Sequence, residues 1–472
     1  MSENYSPIRM NKTDYSDLVK PYEEEAYKAL SDFVGINSIL DEKTASKTAP
    51  FGQGVENALD YTAELGKALG FAVDRCDNYI TELTYGQGDK VFDIYAHADT
   101  VPVNEKNWTK NPFALTRAGD VMYGRGTNDD KGPGIACLFA VKALMDKGKL
   151  GGYKLRFLFG GNEENGSLGL KHYFEVLKKG YPTLGISPDA DYPLIYAEKS
   201  IYSYKASYSF HDDRLSSFSW GDALNIVLDE ATAEIKESKD KVDALLSSYL
   251  KENEGLSGSF DGKKLFIKGV SAHGSLPWEG KNAGLHMLNF LGILWDIPLL
   301  RTIAKDYISG RGETFGGDFR DEYFDGCSYN VGAVSYDGSK LALSVNDRFP
   351  VSIKESQVLS AVKENTKADV VSLGGSDGFV FDPKSDLVQI LLSSYQKETG
   401  DMDSRPFAIG GGTYARESKN SVAFGAAFPG RSMRMHGDDE FFPYSDFVAN
   451  MAIYAHAIDR ISEYLRTGKA IL

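Results

Sequence analysis

VFDIYAHAD, residues 91–99, is an apolar run that ends on a histidine and, two residues on, an aspartate. A run dominated by Val, Phe, Ile, Tyr and Ala reads as a buried strand, and ligands of parallel sheets gather at the carboxyl ends of the strands. Working outward, the same texture returns at YKLRFLFGG (153–161) and LGIS (184–187). Helical patterns lie between them, GIACLFAVKALMDKG (134–148) and SLGLKHYFEVLKKG (167–180), both ending in Lys and Gly as helix stops do. Strand–helix–strand alternation of this kind predicts an α/β fold with a central, mostly parallel sheet covered by helices.

From about Lys199 the texture changes. SIYSYKASYSF alternates, residues 229–255 predict a long polar helix, and two hairpin-like passages follow at 258–274 and 329–350, each with Asp-Gly at its turn. This mixture predicts an inserted α+β domain over residues 200–382. The α/β texture resumes in DLVQILLSSYQKETG (386–400), SVAFGAAFP (421–429) and a last helix over 443–467, so residues 1–199 and 383–472 are expected to form one catalytic domain.

The 472 residues are 42% hydrophobic and 25% charged, a globular composition. Lys and Arg number 52 against 67 Asp and Glu, a net charge of −15 that repels phosphate backbones and anionic lipids. Nucleic acid and membrane are therefore not the expected partners. Cys76, Cys137 and Cys327 are odd in number and far apart, which gives neither a disulfide framework nor a cysteine zinc knuckle. MSENYSPIRMNKTDYSDL carries no signal-like apolar run and no later stretch is long enough to span a bilayer. A cytoplasmic protein is expected.

Taken singly, His97-Ala98-Asp99 reads as a turn histidine, and adjacent acids read as a solvated pair. The set reads differently. Asp129-Asp130 lies in GRGTNDDKGP (124–133), Glu163-Glu164 in GGNEENGS (160–167), Asp189 and Asp191 in SPDADYP (187–193), and His436 in RSMRMHGDDE (431–440). Each follows a strand, so all are placed to meet on one sheet edge. Histidines and carboxylates without cysteine suit Zn²⁺, Co²⁺ or Mn²⁺. More acids than one metal needs point to two ions about 3.5–4 Å apart, sharing a carboxylate and a water. Residue types alone separate neither Glu163 from Glu164 nor Asp129 from Asp130. His172, His286 and His456 fall in amphipathic helices and read as packed histidines, and His211 sits in a polar loop.

YAHADTVPV, YGRGTNDDKGP, GNEENGS, SPDADYP, GVSAHGS and MHGDDE, in that order from residue 95 to 440, resemble the co-catalytic dinuclear zinc peptidase and aminoacylase superfamily of carboxypeptidase G, succinyl-diaminopimelate desuccinylase and carnosinase. GGGTYAR (410–416) and the length of the insertion are similar to the bacterial dipeptidase V (PepV) group. The resemblance implies a metal-dependent dipeptidase acting on short unblocked dipeptides, β-alanyl ones included, with two zinc ions. It implies that His97 and Asp189 bind one zinc, Glu164 and His436 the other, and that Asp129 bridges both. Glu163 would be the general base and Asp99 the partner of His97. The same resemblance makes the insertion a lid, with His273 on the tetrahedral intermediate and Arg348 and Asn225 on the substrate's terminal carboxylate. Leu228 stands where the related motif has proline. An insertion this large implies a monomer that supplies His273 from its own chain. The alternatives are an N-acyl amino acid amidohydrolase or tripeptidase of the same chemistry, and a non-catalytic metal- or peptide-binding protein, which the retained acid at Glu163 disfavours. A dinuclear phosphoesterase fits the ligand types, but the motif order speaks against it.

Overall fold

Four strands, β1 (Val91–His97), β2 (Lys154–Gly160), β3 (Leu184–Ser187) and β4 (Ser421–Ala423), lie in the order β2-β1-β3-β4 and run parallel. The computed structural model that shows this describes residues 7–472, and residues 1–6 of the N-terminal stretch lie outside it. Parallel neighbours need a crossover, and helix α1 (Lys131–Asp146) supplies it between β1 and β2. The flanks are antiparallel. Ile80–Gly86 runs against β2 because the short link 87–90 reverses the chain, and Ile195 pairs antiparallel with Ala423 of β4. The sheet is thus mixed, with its parallel part at the centre.

β1 is mostly apolar because both faces are covered, with Phe92, Ile94, Tyr95 and Ala96 all fully buried and the buried Asp93 paired with Arg156. Helix α1 is buried around most of its circumference and packs on the last helix, α2 (Tyr444–Thr467). Since β1 to β4 are parallel, their carboxyl ends share one edge, and the loops leaving that edge carry the candidate residues.

The chain divides into two compact units. The outer unit runs to Tyr196 and resumes over Phe381–Phe407 and Thr413–Leu472; the inserted unit comprises Ala197–Val380 and Ala408–Gly412. The glycines of GGGTYAR belong to the inserted unit because Ile409 and Gly410 offer their carbonyls to it. Lys199 N–H donates to Ile409 O at 3.1 Å, and Arg348 Nη1 donates to Gly410 O at 2.7 Å.

In the inserted unit an antiparallel sheet runs in the order Phe218–Trp220, Ser328–Tyr336, Lys340–Phe349, Ser200–Ser209, Asp369–Ser376, backed by helices Ala283–Leu294 and Pro298–Tyr307. Asp261-Gly262 and Asp337-Gly338 turn the two hairpins expected from the sequence, with both glycines at positive φ. The helix expected over 229–255 is corrected: Glu230–Glu234 is a strand, and only Lys239–Glu252 is helical. The physical reason is the alternation of Ala231, Ala233 and Ile235, all buried, with Ala231 paired to Ile267 and Ala233 to Leu265. A period of two won over the polar, helix-favouring composition.

Among the described residues no helix is long and apolar enough to cross a membrane. The three cysteines are buried free thiols. His172 stacks on Tyr79, His286 Nδ1 lies 3.0 Å from Tyr249 Oη, and His456 Nδ1 lies 2.7 Å from Glu398, while His211 is exposed in its loop.

Candidate metal centre

His97 closes β1 and is fully buried at the sheet's carboxyl edge. Its Nδ1 lies 3.0 Å from the backbone carbonyl of Asp99 and donates to it, whereas the Asp99 carboxylate is 3.6 Å away. Such a bond puts the proton of a neutral ring on Nδ1 and leaves the Nε2 lone pair for a metal. Nε2 faces Asp129 Oδ1 at 2.9 Å and Asp189 Oδ2 at 3.7 Å. The resemblance made the Asp99 side chain the partner of His97, and this carboxylate lies near the ring while it is also tied to the backbone. It accepts the backbone N–H of Glu163 at 3.0 Å and of Glu164 at 3.2 Å, tying the end of β1 to the loop after β2.

Asp129 lies in the loop entering α1 and is met from two sides. His97 approaches one carboxylate oxygen, and His436 Nε2, reaching in from the segment after β4, lies 2.8 Å from the other. His436 also lies 3.2 Å from Glu164 Oε2. Asp130 points differently, accepting the backbone N–H of His97 at 3.2 Å. Asp191 is exposed. The choice between neighbouring acids that residue types leave open is thus made by direction at Asp129 and Asp189. It is not made so cleanly at the glutamates. His97, Asp129 and Glu164 have ligand atoms within 4.8 Å of one another, and so do His97, Glu163 and Asp189.

The charges are crowded. Burial lifts Glu163 well above the usual carboxylate range against the pull of His97, and lifts Glu164 to about 6 and Asp189 to about 7, in both cases with repulsion from Asp129 adding. Burial acts the same way on Asp129, but His436 and His97 outweigh it and hold this carboxyl far below its ordinary value. For His436 burial would lower the value, and Asp129 and Glu164 carry it up to about 11 instead. Carboxylates packed this tightly stay ionised together only beside a cation. Glu164 Oε1 is buried and has no hydrogen-bond partner among the described residues. Nitrogen and oxygen donors without sulfur, crowded, partly unsatisfied and ranging from buried His97 and Asp129 to exposed His436, fit divalent ions of the zinc, cobalt and manganese kind.

The inserted unit carries His273, Asn225 and Arg348. The Ser275 N–H donates to His273 Nδ1 at 3.4 Å and Ser275 Oγ lies 2.6 Å from the same nitrogen, so the proton of a neutral ring sits on Nε2. Asn225 is exposed on a segment clamped from both sides. Gly274 N–H donates to Asn225 O at 2.6 Å, where a Cβ would collide with the Asn225 backbone, and Asn330 Nδ2 donates to the carbonyls of Leu224 and Ile226, each at 2.8 Å. Leu228 keeps the loop in place without proline by packing its side chain over Gly284 while its carbonyl accepts from Ala283 N–H at 2.7 Å. Arg348 Nε donates to Asn346 Oδ1 at 3.0 Å, which sets the guanidinium plane together with Gly410 O.

Several contributors escape sequence reasoning. Glu440 and Arg125 are buried beside the Asp129 loop, and Tyr414 sets its buried ring edge-on to His97, centroids 6.2 Å apart. Glu440 and Tyr414 stand in quoted motifs, MHGDDE and GGGTYAR, but nothing in the residue order shows which member of a motif turns inward. Asn330, Asn346 and Ser275 carry no signal beyond being polar residues in apolar strands and turns.

A mixed sheet interrupted by an inserted domain, with histidines and carboxylates converging at its carboxyl edge, defines a candidate divalent-metal protein of the α/β class. The sequence profile described as "Peptidase family M20/M25/M40" matches residues 94–460, and this chain belongs to that family, as a metallopeptidase. It is 30% identical over 462 residues to the "Putative dipeptidase YtjP" of Bacillus subtilis, covering 93% of this chain and 98% of that one. It is 32% identical over 469 residues to the "Putative dipeptidase SH1171" of Staphylococcus haemolyticus, covering 94% and 98%. Among solved structures, the M20 family metallo-carboxypeptidase Sso-CP2 of Sulfolobus solfataricus superposes with a TM-score of 0.57 at 16% identity, over 92% of this chain and 98% of that one. The dipeptidase Dug1p of Saccharomyces cerevisiae superposes with a TM-score of 0.57 at 15% identity, over 95% and 98%. At such identities the likeness is one of fold.

Proposed function

We propose that the chain is a dinuclear zinc dipeptidase that hydrolyses short unblocked dipeptides, with broad side-chain tolerance that extends to β-alanyl ones. The observation that carries this reading is Asp129, whose two carboxylate oxygens are faced by two different histidines, His97 at 2.9 Å and His436 at 2.8 Å, as a bridging ligand requires. Asp189 would complete the site of His97, and Glu164 the site of His436. Two bound divalent ions supply Lewis acidity and bring the pKa of a water down to near neutrality.

The remaining work falls to side chains. Glu163 accepts the proton of the attacking water at its carboxylate and hands it to the amine of the leaving amino acid. His273, with its proton on Nε2, donates to the oxygen of the scissile carbonyl as charge develops there, a contribution of about 3–4 kcal/mol for a well-placed donor. Arg348 and Asn225 take the substrate's terminal carboxylate, for which a planar guanidinium offers two parallel bonds. Demand for a free carboxylate just past the scissile bond favours dipeptides. The names of the bacterial relatives support the same substrate class. The inserted unit then serves as a lid on the outer unit, in a cytoplasmic monomer. Buried free thiols support that compartment, and a sedimentation mass of twice 51.9 kDa would refute the monomer.

The test is hydrolysis of Leu-Leu by chelated and then zinc-restored protein, beside N-acetyl-leucine and a tripeptide. Cleavage of the free dipeptide alone, lost on chelation and regained with zinc, is the expected result. Cleavage of the acetylated compound or the tripeptide in its place would move the chain to the amidohydrolase or tripeptidase reading. Two metals bound with no turnover of any substrate would make it a binding protein.

A further inference from the structure

Sequence position 440 carries a carboxylate that is fully buried yet makes no contact of its own with substrate or metal in the reading above. Four hydrogen bonds to its two oxygens all come from one loop. Oε2 accepts from Arg125 Nη1 at 2.6 Å and from Gly126 N–H at 3.1 Å; Oε1 accepts from Asn128 N–H at 2.9 Å and from Asp129 N–H at 3.2 Å. The link is reciprocated, since Arg125 Nη2 donates to Gly437 O at 3.1 Å and Gly124 N–H donates to Glu440 O at 3.1 Å. The loop that carries Asp129 and the segment that carries His436 are therefore stitched together from both sides.

The second observation is the backbone of the His436 segment itself. Arg434, His436 and Asp439 are non-glycine residues at φ of 54°, 61° and 54°. A side chain in that region costs roughly 1–2 kcal/mol and persists only where its surroundings over-determine it. Asp439 is fixed by Thr109, whose N–H and Oγ donate to its carboxylate at 2.8 and 2.9 Å. Glu440 fixes the other end. Without these anchors the segment would relax toward ordinary φ values, and His436 would leave Asp129 and Glu164.

We propose that Glu440 is a positioning residue for the metal centre: it clasps the Asp129 loop to the His436 segment and so sets the geometry in which Asp129 meets both histidines. This rests on the dinuclear reading of the site. A carboxylate suits the task because it alone among side chains offers acceptors to four converging donors, one of them the Arg125 guanidinium. Its effect on the ion is indirect, through the placement of two ligands, of the kind whose removal typically lowers metal affinity about 10–100-fold.

The test uses the full chain stripped of metal and titrated with Co²⁺ against a chelating indicator, with thermal unfolding of the metal-free protein measured in parallel. Glu440→Gln keeps the shape but replaces one acceptor oxygen with an NH₂ that faces donors. The expected result is a 10–100-fold loss of affinity, largest for the ion held by His436 and Glu164, with an altered Co²⁺ visible spectrum, beside a lowered unfolding midpoint of the metal-free protein because buried Arg125 loses its counter-charge. Unchanged affinity and spectrum in a folded Glu440→Gln protein overturn the proposal. A lowered metal-free midpoint with normal metal binding also overturns it, since a merely structural role would look like that. If Glu440→Gln does not fold, Glu440→Asp keeps the charge opposite Arg125 but is too short for all four bonds, and the same two readouts decide. Wild-type protein that binds no Co²⁺ would refute the dinuclear reading and this inference together, whereas two ions bound with no peptidase activity would leave the clasp supported and the dipeptidase reading refuted.

Discussion

The two units differ in the kind of side chain they gather as candidates. In the outer unit the candidates are mostly acids that lie close together: Asp129 between two histidines, Asp99 on two backbone N–H groups, Glu440 against Arg125 and the backbone of its loop. In the inserted unit the candidates His273, Asn225 and Arg348 are donor-bearing side chains, and Ser275, Gly274, Asn330, Asn346 and a backbone carbonyl are among the groups that contact them or their segments. The difference follows from what each must meet. A site for cations gathers anions that repel one another and hold their arrangement only with the ion or an opposing positive group. A site for a peptide must keep its donors available and oriented without offering a competing charge.

If that contrast is right, the largest losses come from the outer unit. Glu163→Gln should reduce kcat by about 10²–10⁴-fold, the range for a general acid–base group, with both metals still bound by elemental analysis; loss of metal instead would make Glu163 a ligand. His273→Ala should cost about 10²–10³-fold in kcat at little change in KM, as removal of a single oxyanion donor does. Arg348→Lys keeps the charge and loses the fork, so KM for Leu-Leu should rise by about 10–100-fold, given 1.5–3 kcal/mol for charge-assisted bonds. A selective effect on kcat would place Arg348 elsewhere in the reaction.

A last prediction concerns stability and not turnover, at a buried carboxyl of the inserted unit. Asp347 is buried next to Arg348 in sequence but on the opposite face of its strand, and burial, with the charge of Glu355 adding, pushes its carboxyl up to about 8. Its folded value lies above the unfolded one, so the folded state holds the extra proton between about pH 4 and 8. The unfolded state then binds fewer protons, and stability falls as pH rises through that window, by at most about 1.4 kcal/mol per pH unit. Asp347→Asn should flatten that part of the unfolding profile and gain most near the alkaline end. A variant whose profile keeps the wild-type slope would show that Asp347 is ionised in the fold.

Much of the outer unit was legible in the sequence because its strands are buried on both faces and its chemistry sits at strand ends. The apolar run ending at His97, and the glycine-bounded acids after the next strands, mark an edge before any coordinates are known. What stayed hidden was direction. Asp129 and Asp130 differ only in which way a loop turns, and Glu440 differs from Asp438 and Asp439 only in being buried against Arg125. In the inserted unit the hairpins declared themselves through Asp-Gly turns, but Glu230–Glu234 did not, since its alternation of alanines is hidden in a charged, helix-favouring context. The return of Ala408–Gly412 to that unit was equally unreadable, because it depends on backbone carbonyls meeting Lys199 and Arg348 from far along the chain.

The central claim is that Asp129 bridges two metal ions. It is tested most directly by an anomalous-difference map at the zinc edge from crystals grown with Zn²⁺. Two peaks about 3.5–4 Å apart, one beside His97 and Asp189, the other beside His436 and Glu164, with Asp129 between them, are expected. A single peak, or a pair that leaves Asp129 uncoordinated, would contradict it.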